Sequence, residues 1–348
     1  MSATKIIKSI VIVILLLLGL ASIKAYNVYH KAFKPNIIIK ENGEMDLFIP
    51  SGASFEQVYH QIAKSGILTD TSTFLWAAKK KNYPAHVYAG RYIIQNRMSN
   101  NDLVNLLRSG QQTPVDVTFN NQRTLDELAE RISEQLEPAK EDFQKVFTDG
   151  EIIKKYGFNK ETFKCTFIPN TYEIWWNTSP EKFVVRMNAE YEAFWKGKRD
   201  RKAQSVGLSR EEVITLASIV QQETRMNDEK PTIAGVYINR LNKGIKLDAD
   251  PTVVYANGDF TRNRVLNKDR QIDSPYNTYK YRGLPPGPIC IPDISTIDAV
   301  LNYEKHKYLF FCAKPDFSGY HNFAKTNREH NRNAEAYRRE LNKRRIYR

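Results

Sequence analysis

Residues 209–224 read SREEVITLASIVQQET, and residues 231–244 read PTIAGVYINRLNKG. Ser209 and Glu212 have the spacing of a capping box, so a helix starts at Ser209. Val213, Leu216, Ala217, Ile219 and Val220 repeat at helical spacing and form its inward face. Glu223 follows Ile219 by four residues and Val220 by three, so it continues that apolar face at the helix end. Gln221 and Gln222 beside it are neutral. A carboxylate desolvated by aliphatic neighbours has a raised pKa, which makes a glutamate a proton donor near neutral pH. The same spacing also suits a carboxylate that simply snorkels to water. In the second stretch Ile233, Val236, Tyr237 and Leu241 face inward and Gly244 stops the helix.

Working toward the C-terminus, KLDADPTVVYA (246–256) reads as a turn into a strand or short helix. SPYNTYKYRGLPPGPICIP (274–292) has neither helical nor strand period. It reads as a structured loop whose Tyr and Asn side chains suit polar, ring-shaped ligands. Its Pro-Pro-Gly-Pro also reads as plain turn punctuation.

Working toward the N-terminus, Ser179-Pro180 opens a helix carrying Phe183, Val184, Met187, Tyr191 and Phe194. The run KGKRDRKAQ (196–204) reads as a solvated, mobile stretch or a fraying helix end. Thr124 and Glu127 match a capping box for a helix to about Leu136, preceded by the strand VDVTF. Residues 46–110 read as strand, helix, helix, strand, helix, with Ser54, Thr71 or Ser72, and Ser99 starting the helices. Residues 10–23, IVIVILLLLGLASI, carry no charge. With Ile6 and Ile7 they span roughly 27 Å as a helix, close to the ~30 Å hydrocarbon core of a bilayer. Lys24 interrupts the one small-residue cleavage site of a signal peptide, so an uncleaved anchor is expected.

The composition agrees with a folded body on an anchor. The chain has 348 residues, 41% of them hydrophobic, which excludes a disordered protein and leaves room for two or three domains. Lys and Arg total 52 against 39 Asp and Glu, a net charge of +13 that favours an anionic partner. Three cysteines, Cys165, Cys290 and Cys312, form no CxxC pair. The six histidines (His30, His60, His86, His306, His321 and His330) lack metal-binding spacing, so no metal and no cofactor are expected. Cys312 with His321 has no supporting nucleophile signature.

TLASIVQQET, GVYINRLNKGIKLDADPTVVYA, DSPYNTYKYRGLPPGPI and FIPNTYEIWWNTS together resemble the endolytic murein transglycosylases, the MltG or YceG-like family. The resemblance covers roughly 115–330 with the motifs in order. It implies an α+β chain with an N-terminal transmembrane helix, a small LysM-like α/β subdomain and a C-terminal YceG-like catalytic domain. The expected boundaries are 1–25 for cytoplasmic tail and anchor, 26–45 for a linker, 46–112 for the LysM-like part and 113–348 for the catalytic part with a basic C-terminal helix.

The resemblance also implies the chemistry. Peptidoglycan glycan strands are the substrate, and Glu223 occupies the position of the catalytic glutamate. Many relatives carry an additional acid where this chain has Gln221, leaving Glu223 as the one carboxylate of the motif. It would protonate the glycosidic oxygen and then, as carboxylate, deprotonate the C6 hydroxyl of N-acetylmuramic acid, giving a 1,6-anhydro end. A hydrolase would use a second carboxylate at ~5–5.5 Å or ~6.5–9.5 Å, for which Asp248 and Asp250 are available. Substrate contacts are expected from Tyr276, Asn277, Thr278 and Tyr279, then Asp250, Thr252, Tyr255 and Asn239, with Ser218 and Gln222 orienting the glutamate. His321 and Phe323 are weaker candidates.

Cell-wall synthases are the implied protein partners, and the body would face outward from the bacterial cytoplasmic membrane. A non-catalytic glycan-binding scaffold and a nucleic-acid binder are the competing classes, the latter without any recognisable module. Residues 324–348 carry nine Lys or Arg against three Glu. They read as a solvated amphipathic helix with Ala336, Tyr337 and Leu341 inward, or as a surface for anionic lipid or wall polymer.

Overall fold

Capping and apolar periodicity set the elements where the sequence places them. The computed structural model describes residues 3–40, 43–260 and 265–344. In chain order the first elements are α1 (Ala3–Phe33), β1 (Glu44–Ile49), α2 (Phe55–Lys64), α3 (Thr71–Lys80), β2 (Gly90–Gln95) and α4 (Asn100–Ser109). There follow β3 (Val115–Phe119), α5 (Leu125–Ser133), α6 (Lys140–Thr148), α7 (Gly150–Lys155), β4 (Asn170–Ile174), α8 (Pro180–Trp195) and α9 (Lys198–Val206). The last group is α10 (Arg210–Glu223), α11 (Lys230–Asn242), α12 (Asp250–Asn257), α13 (Ile294–Leu301), β5 (Phe310–Ala313), β6 (His321–Ala324) and α14 (Asn327–Lys343). The class is mixed α+β with an apolar N-terminal helix.

The chain forms two units, one from residues up to 116 with the short returns 135–137 and 173–178, the other from the remainder. In the first, β1 and β2 pair antiparallel from Glu44↔Gln95 to Ile49↔Gly90. Leu47, Ile49, Tyr92 and Ile94 turn inward from this ribbon onto Val58, Ile62, Phe74, Leu103 and Leu107 of the helices. Ser54 and Ser99 both close full capping boxes, whereas Asp70, not Thr71 or Ser72, caps α3. Asp70 wins because its carboxylate accepts from both Ser72 N and Thr73 N.

Helix α1 runs past the expected anchor end at residue 25 to Phe33. Ile6 to Phe33 is long and apolar enough to cross a membrane, and its side chains from Ile6 to Leu20 are exposed. Its last turn belongs to the folded unit. Ala32 is buried, and the Lys31 carbonyl accepts from Asn100 Nδ2 at 2.9 Å.

The second unit is built on α10, whose residues 213–220 are all buried. Ser209 and Glu212 form the expected capping box. On one side α10 packs against α11 and α13, on another against α12. Gly235 allows α11 its approach to residues 304–306, because a Cβ there would lie 2.4 Å from the Glu304 carbonyl oxygen. Gly287 in the Pro-rich loop is equally constrained, by the Glu161 carbonyl at 2.1 Å from a would-be Cβ. The β5–β6 hairpin is tied to the start of α11. Buried Glu229 accepts from His321 N at 2.8 Å and pairs with His321 Nδ1 at 2.9 Å.

One segment differs from its sequence reading, and another settles on one of the two conformations the sequence left open. The charged run at 196–204 is not a mobile stretch but enters α9, because its central charges, Arg199 and Asp200, are paired. Arg199 forks onto Asp298 (2.9 and 3.0 Å) and lies over the Phe194 ring, while Asp200 is gripped by Arg210 (2.7 and 2.8 Å). Residues 250–257 settle as helix α12, with Pro251 in its first turn, where the missing N–H is harmless. In α14 no side chain is fully buried, although Ala336, Tyr337 and Leu341 are half-covered as the pattern requires. Residues 345–348 of the basic run lie outside the described residues.

Candidate active site

Glu223 is the last residue of α10, and two clefts of the second unit meet on it. The first, of about 350 Å³, is walled by Arg123, Gln222, Pro251, Val254, Tyr255, Phe260 and Ile289. The second, of about 510 Å³, is walled by Tyr237, Arg240, Asp248, Arg270, Tyr279 and Phe310, with Asn327, His330 and Asn331 of α14. Among the described residues only Glu223 and Asp250 line both. Glu223 sits half-buried at this junction with protein packed around its carboxyl. Desolvation therefore pushes its pKa up from 4.5 to about 7. The Tyr237 hydroxyl, donating to Oε1 at 2.6 Å, pulls in the opposite direction, and the Asp250 charge adds to the rise.

The Asp250 side chain is held in place from two sides. Its Oδ1 accepts from Tyr279 Oη at 2.6 Å and from Arg270 Nη2 at 3.2 Å, and Arg270 lies over the Tyr279 ring at 4.5 Å. Burial and the hydrogen bond to Asp250 raise the Tyr279 phenol pKa, so it stays a donor. Asp248 has a left-handed backbone (φ 49°), which Asp tolerates better than most residues, and is paired with Arg240 at 3.0 Å. The same guanidinium donates to the carbonyls of Lys246, Leu247 and Leu309. The aromatic wall is also braced. Buried Lys164 donates to Tyr255 Oη at 2.8 Å and lies over that ring, and Arg123 lies over Phe260.

Of the residues expected to touch substrate, Gln222, Asp250, Tyr255 and Tyr279 line the clefts with Glu223. The others lie behind them. Asn277 is fully buried, donates to the carbonyls of Arg270 and Ile272, and accepts from Tyr279 N. Thr278 and Thr252 are buried and share a hydroxyl contact of 2.9 Å that fastens the SPYNTY loop to the start of α12. Tyr276 packs on Tyr255 with centroids 4.7 Å apart. Asn239 is spent on the carbonyls of His306 and Tyr308. Ser218 is buried, accepting from Ile289 N and donating to Thr215 O, so it joins the loop to α10. A loop of Tyr, Asn and Thr thus fastens its own backbone and delivers one phenol to Asp250, an outcome its composition equally permits.

Gln221 turns away from the clefts, to Asp293 (3.0 Å), Thr296 and buried Lys230. His321 is paired with Glu229, and Phe323 packs against Tyr308, so neither lines either cleft. Cys312 is likewise absent from both walls. Among the described residues no three His, Cys, Asp or Glu side chains gather as a metal site.

Sequence reading missed Tyr237, Arg240, Arg270 and the α14 trio. Tyr237 was legible only as an inward residue. The available signal was its polar tip within a buried stripe, since a buried Tyr hydroxyl needs a partner.

A raised carboxyl at the junction of two open clefts, with Asp250 beside it, suits acid-catalysed cleavage of a long polymer. The comparisons agree with that class. The sequence profile of the YceG-like family matches residues 47–336, and the chain belongs to that family. It is 29% identical over 315 residues to the endolytic murein transglycosylase of Bacillus subtilis, covering 84% of each chain. It is also 29% identical over 359 residues to the endolytic murein transglycosylase of Streptococcus pneumoniae D39, covering 94% of this chain and 65% of that one. A solved structure from Listeria monocytogenes, described as a YceG-like protein, superposes with a TM-score of 0.56 at 29% identity. It covers 84% of this chain and 99% of that one.

Proposed function

We propose that this chain is a lytic transglycosylase that cleaves peptidoglycan glycan strands within the strand, with Glu223 as its acid and base. The observation that carries the reading is Glu223 itself, the raised carboxyl shared by two clefts that can receive polymer on either side of the cut bond. Protonated Glu223 donates to the glycosidic oxygen as the bond to the anomeric carbon breaks. The carboxylate so formed removes the proton from the C6 hydroxyl of N-acetylmuramic acid. That oxygen bonds to the anomeric carbon of its own ring, giving the 1,6-anhydro end without consuming water. Asp250, fixed by Tyr279 and Arg270, favours the positive charge that grows on the sugar.

Asp250 also motivates the second reading, a hydrolase in which it supports attack by water. Mass spectrometry of glycan digested by the purified chain separates the two. Products lighter by one water than hydrolytic ones support the transglycosylase. Ordinary reducing ends alone turn the assignment to hydrolysis. An inert chain that still binds glycan makes it a scaffold.

The remaining reading concerns placement. Helix α1 anchors the chain in the bacterial cytoplasmic membrane, single-pass, with the catalytic body outside it. The antiparallel β1–β2 pair with α2 and α3 between its strands supports a LysM-like subdomain. A body so anchored would trim or terminate nascent strands beside cell-wall synthases. Fractionation and protease accessibility of the full chain test the topology: recovery in the soluble fraction, or a protected body on the cytoplasmic side, overturns it.

A further inference from the structure

Tyr237 lies on the inward face of α11, fourteen residues beyond Glu223, and its hydroxyl meets Glu223 Oε1 at 2.6 Å. The phenol is 2% exposed and its ring stands edge-on against Phe311 of β5, with centroids 5.8 Å apart. No other acceptor among the described residues takes its proton. Its O–H therefore points at Oε1 in both protonation states of the glutamate. A proton on Oε1 would set two hydrogens into one short contact, so the acidic proton belongs on the other oxygen.

We propose that Tyr237 is a positioning residue that commits Glu223 Oε1 to a permanent hydrogen bond and leaves Oε2 as the oxygen that first gives and then takes the reaction's proton. The contact becomes charge-assisted once the proton has left, and so steadies the carboxylate needed for the second half of the reaction. The other titratable or charged groups around Glu223 are Arg240 on α11, Asp248 just before α12 and Asp250 at its start, and Arg123, Arg270, Tyr255, Tyr279 and His330 on the cleft walls. Of these, Arg240 and Asp250 act on the carboxyl with opposite signs, and the phenol outweighs Arg240 as the group that favours the carboxylate. Its own ionisation is driven far above the usual range by burial and by Glu223, which keeps it a donor at every working pH.

The inference rests on the reading of Glu223 as acid and base, and the experiment separates the two. Infrared titration of the full chain without substrate follows the protonated carboxyl band that disappears in Glu223→Gln. In Tyr237→Phe, which keeps the ring and its Phe311 contact, the midpoint moves up by roughly one pH unit. On glycan, the alkaline limb of kcat/KM moves with it, and kcat falls about tenfold while KM stays within about twofold. An unmoved midpoint, or an equal loss with an unmoved limb, overturns the proposal. Should that variant fail to fold, 3-fluorotyrosine placed at 237 strengthens the donor and shifts the midpoint down. A midpoint that stays or rises overturns it as well. A wild-type chain that never cleaves glycan defeats the reading of the site but leaves the titration to judge Tyr237.

Discussion

The two clefts that share Glu223 differ in how many charges and amides they add to their rings. The one bounded by Tyr255 and Phe260 offers ring faces and aliphatic surface, stiffened from behind by Lys164 and Arg123. The one bounded by Arg240 and Arg270 sets amides and charges among its own rings Tyr279, Phe310 and Phe311, and its two guanidiniums are already paired with Asp248 and Asp250. An aromatic wall holds sugar by stacking and tolerates small displacements, whereas a hydrogen-bonding wall depends on geometry. On the proposed mechanism, the difference divides grip and alignment between the two sides, with the proton-transfer group where they meet.

The severest break of this comparison is Glu223→Gln, which removes the group both clefts serve. Glycan cleavage falls about a thousandfold while the fold persists, as product analysis and circular dichroism will report. Next is pH. Because the proposed mechanism requires the acid form and burial raises the carboxyl to about 7, kcat/KM should drop about tenfold per unit above that pH. The same titration acts on stability. Glu223 is neutral in both folded and unfolded chains below 4.5, and ionised in both above about 7. The buried charge therefore destabilises progressively between those values, by on the order of 3 kcal/mol. Thermal melts of Glu223→Gln will exceed wild type at pH 8 and match it at pH 4.

Tyr255→Ala sharpens the aromatic side, raising KM about tenfold with a smaller change in kcat. An unchanged KM would remove ring stacking from the account. Asn277→Ala unfastens the loop carrying Tyr279 and costs about 1–3 kcal/mol in denaturant unfolding, since two carbonyls lose their donor. The smallest effect belongs to the paired substitution Asn327→Ala and Asn331→Ala, about threefold in kcat/KM. A loss equal to that of Tyr255→Ala would erase the contrast between the clefts.

Much of the fold was legible. Ser54, Ser99, Thr124, Ser179 and Ser209 announced helix starts, and each caps its helix. Such signals span three residues and survive any tertiary context. The run at 196–204 misled because a charged stretch looks solvated until its partners, here Asp298 and Arg210, are brought from elsewhere in the chain. In the site, Glu223 stood out because a carboxylate extending an apolar stripe is anomalous. Asn277, Thr278 and Thr252 were legible as polar and as part of one loop, but not as buried.

By itself the sequence determined the helix that ends in Glu223, the apolar N-terminal segment and the ordered motifs that place the chain in its family. These are local patterns, set by chain neighbours within a few turns. Only the tertiary structure decided which oxygen of Glu223 is already engaged, that Gln221 faces away, and that α14 walls the site. Those outcomes depend on contacts between residues far apart in the chain, such as Tyr279 with Asp250 or His330 beside Phe310, which no local spacing encodes.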